Sequence, residues 1–308
     1  MSATLKIAIT CGDVNGIGPE VALKALAACG PKSGADFIPI GPQQVFNFPN
    51  TVEIPLAGKV TPGKITAAAA RTAVAAVERA VQGCLTGEFD AVVTAPICKQ
   101  GLTLAGIAYP GHTELIADLC KTKRYGMMLA GKELRVMLAT RHLPLRDVAG
   151  ALSKENVLDA IELTGETLAW FGLNGGHIGV CGLNPHAGDG GTLGDEEEKI
   201  IAPAIAAARA AGFNASGPVP ADVIFFQALH NQYDAIVAMY HDQGLGPLKM
   251  HAFDCGINLT AGLPIVRTSP DHGTAFDIAG TNSASPASMI AAIEIAIHLA
   301  GEPNPWKT

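Results

Sequence analysis

Apolar positions along this chain follow two rhythms. Short unbroken runs rich in Val, Ile, Leu and Ala alternate with longer stretches in which apolar residues recur at helical spacing. The short runs read as strands buried on both faces, as in a parallel sheet. They are Lys6-Ile7-Ala8-Ile9-Thr10, Phe37–Gly41, Phe89-Asp90-Ala91-Val92-Val93, Leu134–Thr140, His177–Leu183 and Ala235–Met239. The longer stretches predict helices over Ile65–Leu85, Glu114–Cys120, Ser153–Phe171 and Ser285–Leu299. The Ile65–Leu85 stretch carries Arg71, Glu78 and Arg79, so it is an amphipathic helix rather than a membrane span. Asp195 and Glu198 have capping-box spacing at the head of a further helix, which Pro203 should kink or divide. Thr113 is placed to cap the Glu114 helix, and Ser285 and Pro286 take the N-cap and N1 positions of the last one. Alternation of strand and helix over 308 residues predicts an α/β fold, long enough for two domains or one large α/β unit.

Polar residues cluster where the strands stop. In parallel sheets, ligands collect outside the carboxyl ends of strands. Three runs each release one histidine there: His142 after Leu134–Thr140, His186 after His177–Leu183, and His241 after Ala235–Tyr240. These imidazoles either gather around a divalent metal or are loop histidines bonded to local backbone. The turn Cys11-Gly12-Asp13-Val14-Asn15-Gly16-Ile17-Gly18-Pro19-Glu20 follows the first strand and opens a helix. It either exposes backbone N–H groups to an anion or cofactor, or is a tight turn that needs its glycines. Its spacing is not that of the dinucleotide fingerprint G-x-G-x-x-G. Tyr109-Pro110-Gly111-His112-Thr113 sets His112 and Thr113 at a helix start, for an anion or for plain capping. Lys99 stands at a strand end, as a ligand contact or a solvated lysine. The rigid loop Gly217–Asp222 presents Asp222, and Lys249, Asn258 and Arg267 are spaced across a strand-rich region, a reasonable set for a phosphate monoester. The late loop Asp271–Gly280 is bounded by glycine and holds His and Asp; it embraces a nucleotide or is structural.

Composition narrows the classes. A net charge of −7 and a pI near 5.7, with aromatics at 5%, exclude a basic patch or a base-stacking platform for nucleic acid. Seven scattered cysteines without a C-x-x-C pair read as reduced core residues of a cytoplasmic protein. The stretch Met1–Lys6 runs straight into a strand and lacks the apolar core of a signal peptide.

Six motifs occur in order: Gly12-Asp13…Gly16-Ile17-Gly18-Pro19-Glu20, Gly111-His112-Thr113-Glu114, His142-Leu143-Pro144-Leu145, Asn184-Pro185-His186-Ala187-Gly188, Tyr240-His241-Asp242-Gln243-Gly244 and Asp271-His272-Gly273-Thr274-Ala275. Together they make the chain resemble, over nearly its whole length, the 4-hydroxythreonine-4-phosphate dehydrogenase family of pyridoxal phosphate biosynthesis. It also resembles the wider isocitrate/isopropylmalate dehydrogenase-like group. The resemblance implies two α/β/α lobes with a cleft between them, 1–105 with 255–308 and 106–254, the first bearing the dinucleotide loop and the second the metal loops and dimer interface. It implies an NAD- or NADP-dependent oxidative decarboxylase of a small phosphorylated hydroxy acid, with one divalent ion (zinc, magnesium or cobalt) per site and no nucleic-acid or membrane partner. His142, His186 and His241 would hold the metal, with one ligand from the neighbouring subunit of a homodimer. His112, Thr113, Lys249, Asn258 and Arg267 would bind substrate, and Asp222 and Lys249 would be catalytic, Asp222 as the base. Gly12, Asp13, His272, Gly273, Thr274 and Asp277 would meet the dinucleotide. The family commonly has Pro-Ala at Val14-Asn15, Asn at Cys98 and Thr at Arg141. Arg141 therefore leaves 4-phosphothreonate or 4-phosphoerythronate open as the substrate. A phosphate-binding module without turnover and a metal-dependent hydrolase or aldolase are the rival classes.

Overall fold

The computed structural model describes residues 4–30 and 34–307. Of the stretch read as lacking a signal peptide, residues 1–3 lie outside the described residues. The chain runs β1 (Leu5–Thr10), α1 (Gly18–Cys29), β2 (Ala35–Gly41), β3 (Val52–Glu53), α2 (Ala67–Leu85), β4 (Ala91–Thr94), α3 (Lys99–Leu104) and α4 (His112–Leu119). It continues through β5 (Gly126–Gly131), β6 (Leu134–Leu138), α5 (Leu145–Ala151), α6 (Lys154–Trp170), β7 (Ile178–Cys181), α7 (Ala202–Ala210), β8 (Ala215–Val219), α8 (Ala221–Leu229), β9 (Ala235–Ala238), α9 (His241–Ala252) and β10 (Ile257–Ala261). β11 (Val266–Pro270) and α10 (Ala287–Ala300) follow.

Two compact units result. One takes the chain up to Lys123 and again from Leu263; the other is Arg124–Gly262. These edges differ from those expected, for two reasons of packing. α4 lies on α2, so residues 106–123 stay with the first unit. β10 pairs with β5, so residues 255–262 stay with the second.

In the first unit the strand order is β3-β2-β1-β4-β11, and every pair is parallel. β1 and β4 end in four buried residues each, as their unbroken apolar runs require. In the second unit the order is β10-β5-β6-β9-β7-β8. β6, β9, β7 and β8 are parallel, but β5 is antiparallel to both β6 and β10. The short link Lys132-Glu133 allows only a hairpin there. The core of this unit joins Val136, Leu138, Ile236, Ala238, Ile224 and Leu248 across the sheet and its helices.

Helix ends follow side-chain chemistry, with some corrections to the expected positions. Thr66 caps α2, its Oγ1 accepting from Ala69 N (3.2 Å). Ser153 and Asn156 make a reciprocal capping box at α6 (3.0 and 3.2 Å). The box expected of Asp195 and Glu198 does not form. A π-turn, Glu197–Ile201, stands there instead, and α7 restarts with Pro203 in its first turn, where a missing N–H does no harm. α4 is capped by Gly111 without a side-chain bond, so Thr113 lies inside the first turn. α10 begins one residue late, with Pro286 at its N-cap. The loop expected to present Asp222 is strand β8 followed by α8, and Asp222 lies in the first turn of that helix. Lys249 is on α9, not in a strand.

Candidate functional site

In the second unit, β6, β9 and β7 are neighbours, and their carboxyl ends carry His142, His241 and His186. Pairing of β6 with β9 continues past both strands: Ala139 N donates to Ala238 O (2.9 Å), and Thr140 N and Oγ1 donate to Met239 O (3.1 and 2.7 Å). This zip sets His142 beside His241, ring centres 5.4 Å apart and planes tilted by 42°. Two imidazoles on one tetrahedral ion, with metal–nitrogen bonds of about 2.1 Å, bring their ring centres to roughly 5 Å. The pair therefore fits a shared divalent ion. Asp242 Oδ1 lies 2.7 Å from His241 Nδ1; a carboxylate only accepts, so the proton sits on Nδ1 and Nε2 carries the lone pair in the neutral ring.

His186 does not complete the cluster within one chain. Among the described residues, no group of three or more His, Cys, Asp or Glu side chains could hold a metal ion. His186 lies in a tight turn of unusual backbone: His186 (φ 54°), Ala187 (φ 54°) and Asp189 (φ 44°) are all left-handed, with Gly188 at φ 81° between them. Each non-glycine residue held there costs about 1 kcal/mol, so the surroundings must enforce the turn.

Two residues that the sequence reading passed over do that work around the strand ends. Gln243 is buried; its Oε1 accepts from Met239 N and its Nε2 donates to Gly182 O, both at 2.7 Å, tying the end of β9 to the end of β7. Glu197, 3% exposed, accepts from the backbone of Leu183 and Asn184. Gln243 stands inside the quoted His-Asp-Gln-Gly motif, where an amide at a buried strand end is a usable signal. Glu197 was hidden in an acidic run that reads as a solvated helix start.

Other predicted residues are placed as follows. Lys249 is about 12 Å along α9 from His241, at 1.5 Å per residue, with Nζ 5.8 Å from the Phe253 ring centre. Asn258 sits on β10 opposite Leu129, its Oδ1 buried without a hydrogen-bond partner. Asp222 is exposed. Arg141 does not reach out as a free charge: it donates to Tyr125 O (3.0 Å) and stacks over the Tyr125 ring at 4.6 Å.

In the first unit, Arg267 projects from β11 at 2% exposure, and its Nη2 and Nε donate to Thr94 Oγ1 at the end of β4 (2.8 and 3.3 Å). Burial lowers the guanidinium to about 10, offset in part by Glu114, so it stays positive at neutral pH. His112 opens α4 with Nε2 buried and unpartnered. Burial, and then Arg267, hold its imidazole well below the ordinary range, so it is neutral. A buried cation, a neutral imidazole with an open nitrogen and the first turn of a helix suit a phosphate or carboxylate.

In the glycine-rich turn, four backbone amides bond within the protein. Asp13 N donates to Pro96 O (2.8 Å), Asn15 N to Asp13 Oδ1 (2.9 Å), Gly16 N to Asp13 O (3.0 Å) and Ile17 N to Thr274 O (2.9 Å). These amides are spent inside the protein. Gly12 (φ 65°) is required because a Cβ there would meet Pro96 O at 2.5 Å. Asp13 is fully buried with Oδ2 unpartnered, and burial raises its carboxyl above the usual range. What the turn supports is the late loop, through Thr274, while Glu20 and Lys24 of α1 bond Ala284 and Asn282 beyond it. In that loop His272 Nδ1 donates to Gly273 O (3.0 Å) and Nε2 is buried without a partner. Thr274 is buried, Asp277 is exposed, and a Cβ at Gly273 would meet open space.

The fold is shared with a β-decarboxylating dehydrogenase from Thermococcus kodakarensis, which superimposes over 98% of this chain and 85% of its own at a TM-score of 0.53, with 15% identity, a likeness of fold alone. The chain belongs to the PdxA family, described as pyridoxal phosphate biosynthetic protein PdxA, whose model matches residues 16–296. A 4-hydroxythreonine-4-phosphate dehydrogenase of Geobacter metallireducens is 43% identical, covering 96% of this chain and 95% of its own. A D-threonate 4-phosphate dehydrogenase of Pectobacterium atrosepticum is 41% identical, covering 96% and 99%. The crystal structure of a 4-hydroxythreonine-4-phosphate dehydrogenase from Klebsiella pneumoniae, 41% identical, covers 98% of this chain and 100% of its own at a TM-score of 0.87.

Proposed function

We propose that this chain oxidises and decarboxylates 4-phosphohydroxy-L-threonine to 3-amino-2-oxopropyl phosphate in pyridoxal 5'-phosphate biosynthesis, using NAD or NADP and one divalent ion per site. The reading is carried by the His142–His241 pair, backed by Asp242, at adjoining strand ends in a chain of this family. When bound, the ion supplies Lewis acidity at the substrate's hydroxyl and carbonyl oxygens, and the dinucleotide takes up the hydride.

The chain's own residues prepare that chemistry. His142, His186 and His241 hold the ion, and Asp242 keeps the His241 proton on Nδ1. Arg267, braced by Thr94, holds an anionic group of the substrate, and neutral His112 donates a hydrogen bond to it from Nε2. Thr113, Lys249 and Asn258 complete the substrate contacts. Asp222 takes the hydroxyl proton, and Lys249 supplies positive charge for the phosphate and for proton return. His272, Gly273, Thr274 and Asp277 meet the dinucleotide.

The working form is a homodimer that shares the metal site. Among the described residues, the exposed large apolar side chains are Leu85 and Leu104 in the first unit and eight in the second, including Leu143, Leu145, Val223, Phe226, Leu229, Met250 and Phe253. Val223, Phe226 and Leu229 recur at helical spacing on α8, as a buried face does. Phe226→Asp is expected to yield monomers in sedimentation velocity; a wild type that is monomeric at micromolar concentration refutes the shared site. The cytoplasm is the proposed compartment, in keeping with seven free cysteines. No helix among the described residues is long and apolar enough to cross a membrane.

The test is dinucleotide reduction with 4-phosphohydroxythreonine and 4-phosphothreonate side by side, metal supplied, for wild type and His241→Ala. Turnover of the first substrate, abolished in the variant together with bound metal, is the expected result. Preference for 4-phosphothreonate moves the chain to the activity named for the Pectobacterium relative. Reduction with neither, or full activity of the metal-stripped protein, refutes the proposal.

A further inference from the structure

The backbone that carries His186 is bent into a left-handed turn, and one buried carboxylate touches it from below. Glu197 Oε1 accepts from Leu183 N and Asn184 N, both at 2.7 Å, and Oε2 accepts from Asn184 Nδ2 at 2.9 Å. The same Nδ2 donates to Glu196 Oε2 (2.7 Å). The carboxylate is also packed tightly: a Cβ on Gly188 would lie 2.7 Å from Oε2 and one on Gly182 3.1 Å from Oε1. Gly188 thus leaves room for Glu197, and Gly182 leaves room first for Ala187, 2.8 Å from such a Cβ, and then for Glu197. The π-turn of Glu197–Ile201 delivers it, and such local widenings recur at functional sites. Burial opposes its ionisation, but the Asn184 and Leu183 donors outweigh that and hold the carboxyl below its usual range.

We propose that Glu197 is a positioning residue: its carboxylate holds the 183–189 turn in the conformation that aims His186 at the metal. This deepens, and rests on, the reading of His186 as a metal ligand. A carboxylate is required because three donors converge on it at once, which a single amide oxygen cannot satisfy.

The test uses full-length protein with cobalt(II) or zinc(II) alone, titrated against a chelating dye, together with amide hydrogen exchange of the metal-free protein. Glu197→Ala is expected to weaken metal binding about 10- to 100-fold. It is also expected to speed exchange at 183–189 while leaving the 138–142 and 238–243 segments unchanged. Glu197→Gln keeps one oxygen for the two backbone amides and is expected to fall between Ala and wild type. If Glu197→Ala does not fold, Glu197→Gln decides alone. Wild-type metal affinity and wild-type exchange at 183–189 in the folded variant overturn the proposal. His186→Ala separates the two layers: if it leaves metal affinity intact, the ligand assignment fails. If it abolishes binding while the Glu197 variants bind normally, only the positioning role fails.

Discussion

Asn15 offers a sharp test of how the first unit holds its loops. It is 1% exposed. Its Nδ2 donates to Lys64 O (2.9 Å) and Thr66 Oγ1 (3.2 Å), and its Oδ1 accepts from Thr61 N (2.7 Å). The side chain therefore staples the 61–66 loop and steadies Thr66, the cap of α2. That loop in turn packs on the late loop: a Cβ on Gly63 would lie 3.1 Å from Phe276 O, and one on Gly280 3.1 Å from Pro62 Cβ. In Asn15→Ala three side-chain bonds are lost at about 1 kcal/mol each. Lys64 and its neighbours are solvent-exposed enough for water to recover part of this, so the net loss is about 2 kcal/mol. For a unit of this size that lowers Tm by roughly 4–8 °C. Hydrogen exchange at 61–66 should quicken, and KM for the dinucleotide should rise more than KM for the phosphorylated substrate. A variant that melts within about 1 °C of wild type, with unchanged exchange at 61–66, refutes the reasoning.

Three further outcomes are expected. Cys98 caps α3 through sulfur, a weak acceptor, 3.3 Å from Gly101 N. Cys98→Ser, with an oxygen of similar reach, should therefore gain about 0.5–1 kcal/mol in denaturant titration. His112 is held neutral by burial and by Arg267, so its folded pKa lies below the unfolded value near 6.5. The unfolded chain then binds the extra proton as pH falls below about 6.5, and stability drops by up to about 1.4 kcal/mol per pH unit. His112→Asn should flatten that slope in unfolding measured from pH 7 down to pH 5; an unchanged slope rules out His112 as its source. Asp242 is exposed and bonds only the His241 ring among the contacts described, so Asp242→Asn should leave Tm within about 1 °C. The same change should weaken zinc binding about tenfold or more.

Much of the fold was legible as pattern. Fully buried parallel strands such as Ala235–Ala238 announce themselves as unbroken apolar runs because both faces are covered. The strand β5, Gly126–Gly131, is an unbroken buried run of the same kind, but such a run does not record direction; its antiparallel pairing comes from the hairpin with β6. Helix starts shifted where two caps competed. Ser153 worked because Asn156 answers it, whereas Asp195 was displaced by the π-turn ahead of Pro203.

The sequence by itself determined the chemistry on offer: three histidines at strand ends, a late loop with His272 and Thr274, Arg267 among apolar neighbours, and the family to which such motifs belong. Those assignments depend on residue type and order along the chain, which a sequence states directly. Only the tertiary structure decided which of these groups meet. Strand order put β6 beside β9 and so paired His142 with His241, while His186 stayed outside a single-chain cluster. Close packing showed why Gly12 and Gly16 are glycines: Pro96 and Thr274 sit against them. Burial made Glu197 and Gln243 the brackets of the strand ends that carry the histidines, and made Asn15 the staple of the 61–66 loop. Such roles depend on what lies opposite a side chain once water has been excluded, and spacing along the chain does not record that.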